Sequence, residues 1–284
     1  MNKTAITMTA LLLAQALLTV ASAADSGTDK LLLERSRQDS IYHSRGELRP
    51  EGYVIDRSLL SYKGILPPAF SRSLSALGPK DRWLDIGAGR GQAVLDYCTS
   101  GSDRGLNAQA VAMSIEDRRT PEWHQAAASL GTDRMQYVFG KRLREYLPQE
   151  LGQFRIITDV IGGFSYTENL SLFMEKVLGL LELNGSFFTV LQDVHSDEGS
   201  NKPHYAGAPY LTQIVNTDGA DVRVCTWLRS ITCVEVSCEL KTPFKPPIEV
   251  YGVRKVCNEV KVPPLVSIHY EAGTPPERGF RLAK

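Results

Sequence analysis

The chain has 284 residues, of which 43% are apolar and 23% charged, and its 32 basic side chains are matched by 32 acidic ones. This is the composition of a folded globular protein. The even charge argues against a nucleic-acid partner, which calls for a basic surplus, and the length fits one α/β domain with additions or two small domains.

In chain order, the first feature is an export signal. Met1-Asn2-Lys3 is a short positive start, residues 5–20 are mostly apolar, and Ala21-Ser22-Ala23 is a small-x-small cleavage site. This is the pattern of a secretory signal peptide, here residues 1–23. The apolar run is marginal for a membrane span, which needs about 20 residues. No other segment qualifies, so no span is expected after cleavage; a retained anchor is the alternative reading. The residue directly after the cleavage site is Ala24 and not a cysteine, which argues against a lipoprotein. Cleavage removes Lys3 and no acid, leaving a net charge of −1. The mature chain is expected to start at Ala24 and to be periplasmic or secreted, or cytoplasmic if the signal is not used. A polar lead-in follows over 24–52, then a main domain over 53–257 and a proline-containing tail over 258–284.

Within the main domain, residues 53–62 and 67–77 read as a helical preface. Strands are predicted at 83–86, 109–115, 135–139, 154–159 and 186–191. Leu170, Phe173, Met174, Val177, Leu178 and Leu181 recur at helical spacing and form one apolar stripe. Thr167 or Asn169 is the expected cap of that helix, and Asn184-Gly185 its expected end. Strands separated by helices give a parallel sheet with right-handed crossovers. Residues 231–240 and 248–256 are rich in β-formers and flank a loop with three prolines, which reads as a closing antiparallel hairpin.

Between the first strand and the next helix lies Asp85-Ile86-Gly87-Ala88-Gly89-Arg90-Gly91. Glycine tolerates φ > 0 and lets a ligand approach backbone, at the carboxyl end of a strand and the start of a helix. A dinucleotide fingerprint needs G-x-G-x-x-G, and here the third glycine position is Gln92, so a nicotinamide oxidoreductase fails on spacing. The bland alternative is an ordinary strand–turn–helix of another α/β protein. The run resembles motif I, D/E-x-G-x-G-x-G, of the class I S-adenosylmethionine-dependent methyltransferases. The resemblance spans roughly residues 53–256. It implies a Rossmann-like, mostly parallel seven-stranded sheet with helices on both faces and a closing antiparallel hairpin.

The resemblance also implies roles. Asp85, Gly87, Gly89 and Gly91 would hold the methionine part of S-adenosylmethionine. Glu116, or second Asp117, at the end of strand two would bind its ribose. Where the family often has Gly-Asp after strand three, this chain has Gly140-Lys141, and an ammonium cannot accept the adenine amino hydrogen bond. Asp159, ending strand four, is the candidate to orient or deprotonate a nucleophile, with Gly162-Gly163 leaving room for substrate. His195 is a second candidate base, against the plainer reading of a solvated loop histidine. Asp159 and Asp193 make a poor Mg²⁺ signal, so no metal ligand is assigned. The expected acceptor is a small molecule of unidentified nucleophile. Because S-adenosylmethionine is made in the cytoplasm, an exported non-catalytic binding protein of the same fold is the competing reading.

Five cysteines remain after cleavage, with no C-x-x-C. Cys98 reads as a buried thiol. Antiparallel pairing about the proline loop sets Cys233 nearly opposite Cys257, close to disulfide range; two free core thiols are the alternative. Cys238 faces the other side of its strand and is left out unless a loop brings Cys225 to it.

Overall fold

The computed structural model describes residues 56–100, 108–191, 212–244, 248–271 and 277–283. The signal segment, the polar lead-in, Asp193 and His195 lie outside these residues. Among the described residues, no helix is long and apolar enough to cross a membrane.

Two short helices come first. Ser58 caps α1 (Leu59–Ile65), accepting the Ser61 N–H at 3.2 Å. Pro68 opens α2 (Pro68–Ser75), where its missing N–H leaves no bond unmade. There follow β1 (Arg82–Ile86), α3 (Gln92–Thr99), β2 (Gln109–Met113), α4 (Pro121–Leu130), β3 (Met135–Val138), α5 (Pro148–Leu151), β4 (Phe154–Val160), α6 (Gly163–Tyr166), α7 (Leu170–Leu180) and β5 (Leu181–Leu191). The last elements are β6 (Thr212–Val215), α8 (Val224–Arg229), β7 (Val234–Lys241), β8 (Ile248–Lys255), β9 (Leu265–Glu271) and β10 (Glu277–Leu282).

Seven strands form one sheet in the order β3-β2-β1-β4-β5-β8-β7. The first five run parallel. β8 is antiparallel to β5 and β7 antiparallel to β8, so the chain has the Rossmann-like α/β sheet and closing hairpin expected of it. Six of the seven residues of β4 are buried, as a parallel strand covered on both faces must be. Side-chain alternation splits the core. Trp83, Ile156, Phe188 and Val190 pack with Tyr62, Phe70 and Leu74 of the preface helices. Leu84, Ile157, Phe187 and Tyr251 pack with Leu170, Phe173, Met174, Val177 and Leu178, the stripe of α7. Each such buried side chain contributes about 1.5–3 kcal/mol.

The hairpin register sets Val234 against Lys255 and Lys241 against Ile248. Just outside it, Cys233 and Cys257 are joined in a disulfide with Cα atoms 5.0 Å apart. Cys233 has φ +63 and its carbonyl accepts the Val256 N–H at 2.8 Å, so the chain turns there and brings its side chain to Cys257. Cys238 is also joined, to Cys225, with Cα atoms 6.2 Å apart. The element that brings Cys225 over is α8 rather than a loop. Cys98 is a free, buried thiol, pushed up to about 12 by burial.

Three local expectations need correcting. Asn184-Gly185 does not end a helix: α7 stops at Leu180 and β5 begins at once. Asn184 (φ +63) and Gly185 lie in a bulge, where Phe154 faces Leu181 but Ile156 faces Ser186. A Cβ on Gly185 would come within 3.0 to 3.1 Å of three backbone carbonyl oxygens. Neither Thr167 nor Asn169 makes a side-chain cap of α7; the Thr167 hydroxyl accepts the Asn169 N–H instead. Finally, residues expected as a tail supply β9 and β10, which join β6 of the main domain in a second sheet, in the order β6-β10-β9, with β10 parallel to β6 and antiparallel to β9.

A candidate ligand site where the strand order reverses

β1 has β2 on one side and β4 on the other. The crossovers leave the carboxyl end of the sheet in opposite directions there, and this opens a crevice where open α/β sheets bind ligands. The loops after β1 and β4 form its two walls. In the first, Gly87, Gly89 and Gly91 have φ of +68, +57 and +81. At two of them the lack of Cβ is a packing need as well. A Cβ on Gly87 would lie 2.9 Å from the Gly162 Cα, and one on Gly91 would lie 2.5 Å from the Trp123 ring. The Ala88 N–H donates to the Met113 carbonyl at 2.9 Å, and the Gly91 N–H to the Ala88 carbonyl at 2.8 Å.

Asp85 lies beneath this loop, fully buried. Tyr62 donates its hydroxyl to Asp85 Oδ2 at 3.0 Å, and Thr158 donates to Oδ1 at 2.7 Å. Trp83 Nε1–H donates in turn to Thr158 Oγ1 at 2.9 Å. Burial pushes the Asp85 carboxyl up to about 7, against the lowering effect of those two hydroxyls. Burial, followed by the Asp85 charge, holds the Tyr62 phenol well above its usual range.

The second wall is built by Asp159, also fully buried. Its Oδ1 accepts the Gly162 N–H at 2.8 Å and its Oδ2 the Phe164 N–H at 3.0 Å. Burial pushes it up to about 7 too, opposed by the N–H groups of Phe164, Gly162 and Gly163 and by the Arg278 charge. Between the carboxylate and its donors stands Ile161 at φ +58. A β-branched residue there is strained by about 1–3 kcal/mol, and the two bonds to Asp159 hold it in place. Gly162 and Gly163 do not leave open room, as the sequence suggests. A Cβ on Gly162 would meet the Ile86 carbonyl at 2.9 Å, and one on Gly163 the Phe173 ring at 2.7 Å.

Arg278 of β10 braces this wall from behind, 1% exposed. It donates to the carbonyls of Phe164 and Thr167, both at 2.9 Å, and to Thr212 Oγ1. The small sheet is thereby tied to the turn after β4.

Glu116 lies three residues beyond β2, partly exposed, its carboxylate 2.7 Å from Arg118. The Tyr137 hydroxyl donates to the carbonyls of Gly89 (2.5 Å) and Glu116 (3.3 Å). One phenol thus joins the glycine loop to the end of β2, and Trp123 stacks edge-on against its ring at 5.3 Å. Lys141 pairs with Glu150 at 2.5 Å and lies 5.2 Å from the Tyr146 ring centroid. Phe139, at the end of β3, is exposed, with the Arg119 guanidinium 5.2 Å from its ring centroid.

The structure therefore gathers Asp85, Gly87, Gly89, Gly91 and Asp159 at one crevice, with Glu116 on its rim. The residues that complete it, Tyr62, Trp123, Tyr137, Thr158 and Arg278, carry no local motif. Tyr62 falls on an expected preface helix and Tyr137 and Thr158 on expected strands, but nothing in the sequence assigns any of them to the site.

No family model and no curated protein sequence matches the chain. Solved structures similar to it include an O-methyltransferase family protein from Burkholderia thailandensis (10% identity, TM-score 0.43, covering 68% of this chain and 56% of that one). Another is phosphoethanolamine N-methyltransferase 2 from Haemonchus contortus in complex with S-adenosyl-L-methionine (10%, 0.45, 66% and 51%). A third is a putative S-adenosylmethionine dependent methyltransferase from Listeria monocytogenes (16%, 0.43, 66% and 96%). The chain spans 55% of the length of YjhP from E. coli and 47% of TrmN from Thermus thermophilus, to which it is also similar.

Proposed function

We propose that this protein is an S-adenosylmethionine-dependent methyltransferase acting on a small molecule. One observation carries the reading: a D-x-G-x-G-x-G loop with all three glycines at positive φ, set where the strand order reverses. The residues present fit the donor. The loop is built of glycines at positive φ, α3 starts directly behind it, and a partly exposed carboxylate stands beyond β2 for two ribose hydroxyls.

The donor, when bound, supplies a methyl group already activated on a sulfonium. What remains for the chain is chiefly to position a nucleophile in line with it. The loop of Gly87, Gly89 and Gly91 receives the amino-acid part, above Asp85. Glu116 would accept hydrogen bonds from the ribose hydroxyls, beside the Arg118 guanidinium with which it is paired. Lys141 replaces the family's acid and is turned to Glu150, so adenine is left to backbone groups near Gly140. Asp159 is a positioning residue: both its oxygens hold the turn that forms the second wall. His195 is assigned proton removal where the acceptor requires it. The two disulfides support an exported chain, as does the signal pattern of residues 1–23.

Lys141 favours a second reading, an exported protein of this fold that binds without transferring. A transfer assay separates the two. Mature protein is incubated with methyl-labelled S-adenosylmethionine and a small-molecule extract of the producing cells. Label passing to small molecules, and lost in His195→Ala and Gly89→Val, is the expected result. Label passing only to protein or RNA contradicts the acceptor class. Bound donor that is never consumed selects the second reading.

A further inference from the structure

We propose that the exposed face of the β9–β10 hairpin is a binding site for a divalent transition-metal ion, zinc first, formed by His269, Glu271 and Glu277. Each of these side chains offers one ligand atom, and the three atoms lie within 4.8 Å of one another. The ladder explains why they converge. Glu271 faces Glu277, and His269 faces Gly279. Residues two apart on a strand share a face, so the four positions are the corners of one rectangle. Three corners carry metal-ligating groups. The fourth is a glycine, where a Cβ would already crowd His269 Cβ and Ile268 Cγ1 at 3.2 Å, and no side chain stands across from the imidazole.

The arrangement is unfavourable without a cation. Two carboxylates directly opposed across a ladder repel and weaken the pairing, and an ion between them reverses the sign. His269 Nε2 is 3.8 Å from Glu277 Oε1. Two ligands of one tetrahedral zinc, each at about 2.0–2.2 Å, stand about 3.4 Å apart. Small rotations of two side chains that are 50% and 45% exposed close that difference. An imidazole nitrogen with two carboxylates suits zinc, copper or nickel, whereas Mg²⁺ and Ca²⁺ prefer an all-oxygen set. Three protein ligands leave a fourth position for water or another ligand. None of the three residues belongs to the crevice described above, so the site stands whether or not that crevice binds a methyl donor.

The test is calorimetric titration of the full mature chain, stripped with chelator, with zinc chloride. One equivalent should bind, and the thermal midpoint should rise with zinc. His269→Ala and Glu277→Gln should each weaken binding by about tenfold or more, and the double variant should abolish it. Circular dichroism and a metal-free melt should show that all variants are folded. Excess Mg²⁺ or Ca²⁺ should not compete. No binding at millimolar zinc, or binding undiminished in the double variant, overturns the proposal. Equal competition by Mg²⁺ also overturns it, since the feature is then an acidic patch.

Discussion

The crevice at the β1–β4 reversal and the hairpin end of the molecule solve the same problem with different chemistry. At the crevice, glycines at positive φ, a strained Ile161 and two buried carboxylates are held by hydrogen bonds. At the hairpin, one disulfide joins α8 to β7 and the other joins the residues that flank the ladder, Cys233 and Cys257. The hairpin is fixed by covalent bonds in addition to polar contacts such as those of Arg223 and Tyr251 with Glu249. The crevice is fixed by polar detail, which a ligand can also use. The contrast implies that stability can be removed from one end and binding from the other.

The largest effect is expected from breaking the disulfides. Each closes a loop worth about 3 kcal/mol on the chain-entropy estimate, so Cys225→Ser with Cys233→Ser should lower the melting midpoint strongly. Donor affinity below the transition should stay within a few-fold. A large loss of affinity in the folded double variant would mean that the two ends are coupled.

Next comes Arg278→Met. It leaves the carbonyls of Phe164 and Thr167 buried without their donor and removes the cation that favours ionised Asp159. A cost of about 2–3 kcal/mol is expected in denaturant unfolding, with a fall in transfer rate. Such a variant retaining full activity would show that the small sheet does not brace the second wall.

A smaller effect concerns pH. Asp85 is held at about 7 when folded, against about 3.9 in an unfolded chain. Between those values the folded state keeps a proton that the unfolded state gives up. The stability that this brings is complete below about pH 4 and is lost as pH rises through about 7. Melting midpoints should therefore fall from pH 5 to pH 8 more steeply in wild type than in Asp85→Asn. Parallel profiles would show that Asp85 titrates normally. The smallest effect is that of Lys141→Ala, which removes an exposed ion pair and should leave stability unchanged.

The same contrast governs what could be read from the sequence. The glycine loop, the alternation of strands and helices and the stripe of α7 are local patterns that form where expected, except that Leu181, the last residue of the expected stripe, begins β5. The Cys233–Cys257 bond was legible because an antiparallel register is simple geometry once the hairpin is placed. The Cys225–Cys238 bond was not, because α8 left no recognisable cap or stripe in six residues. Arg278 was illegible for another reason: it meets Phe164 across 114 residues, on a strand that reads as tail. Tyr137 and Gly89 are likewise 48 residues apart. Long-range polar contacts complete the crevice, and no short motif encodes them.

The central claim is that the crevice at the glycine loop is the donor site. The direct measurement is calorimetric titration of S-adenosylmethionine into wild type and Gly89→Val side by side. Valine at φ +57 strains the loop and adds a branched side chain where ligand would meet backbone. Micromolar affinity in wild type, lost in a Gly89→Val chain that still melts cooperatively, is the expected result. No binding to wild type at millimolar donor, or equal binding to both proteins, would contradict it.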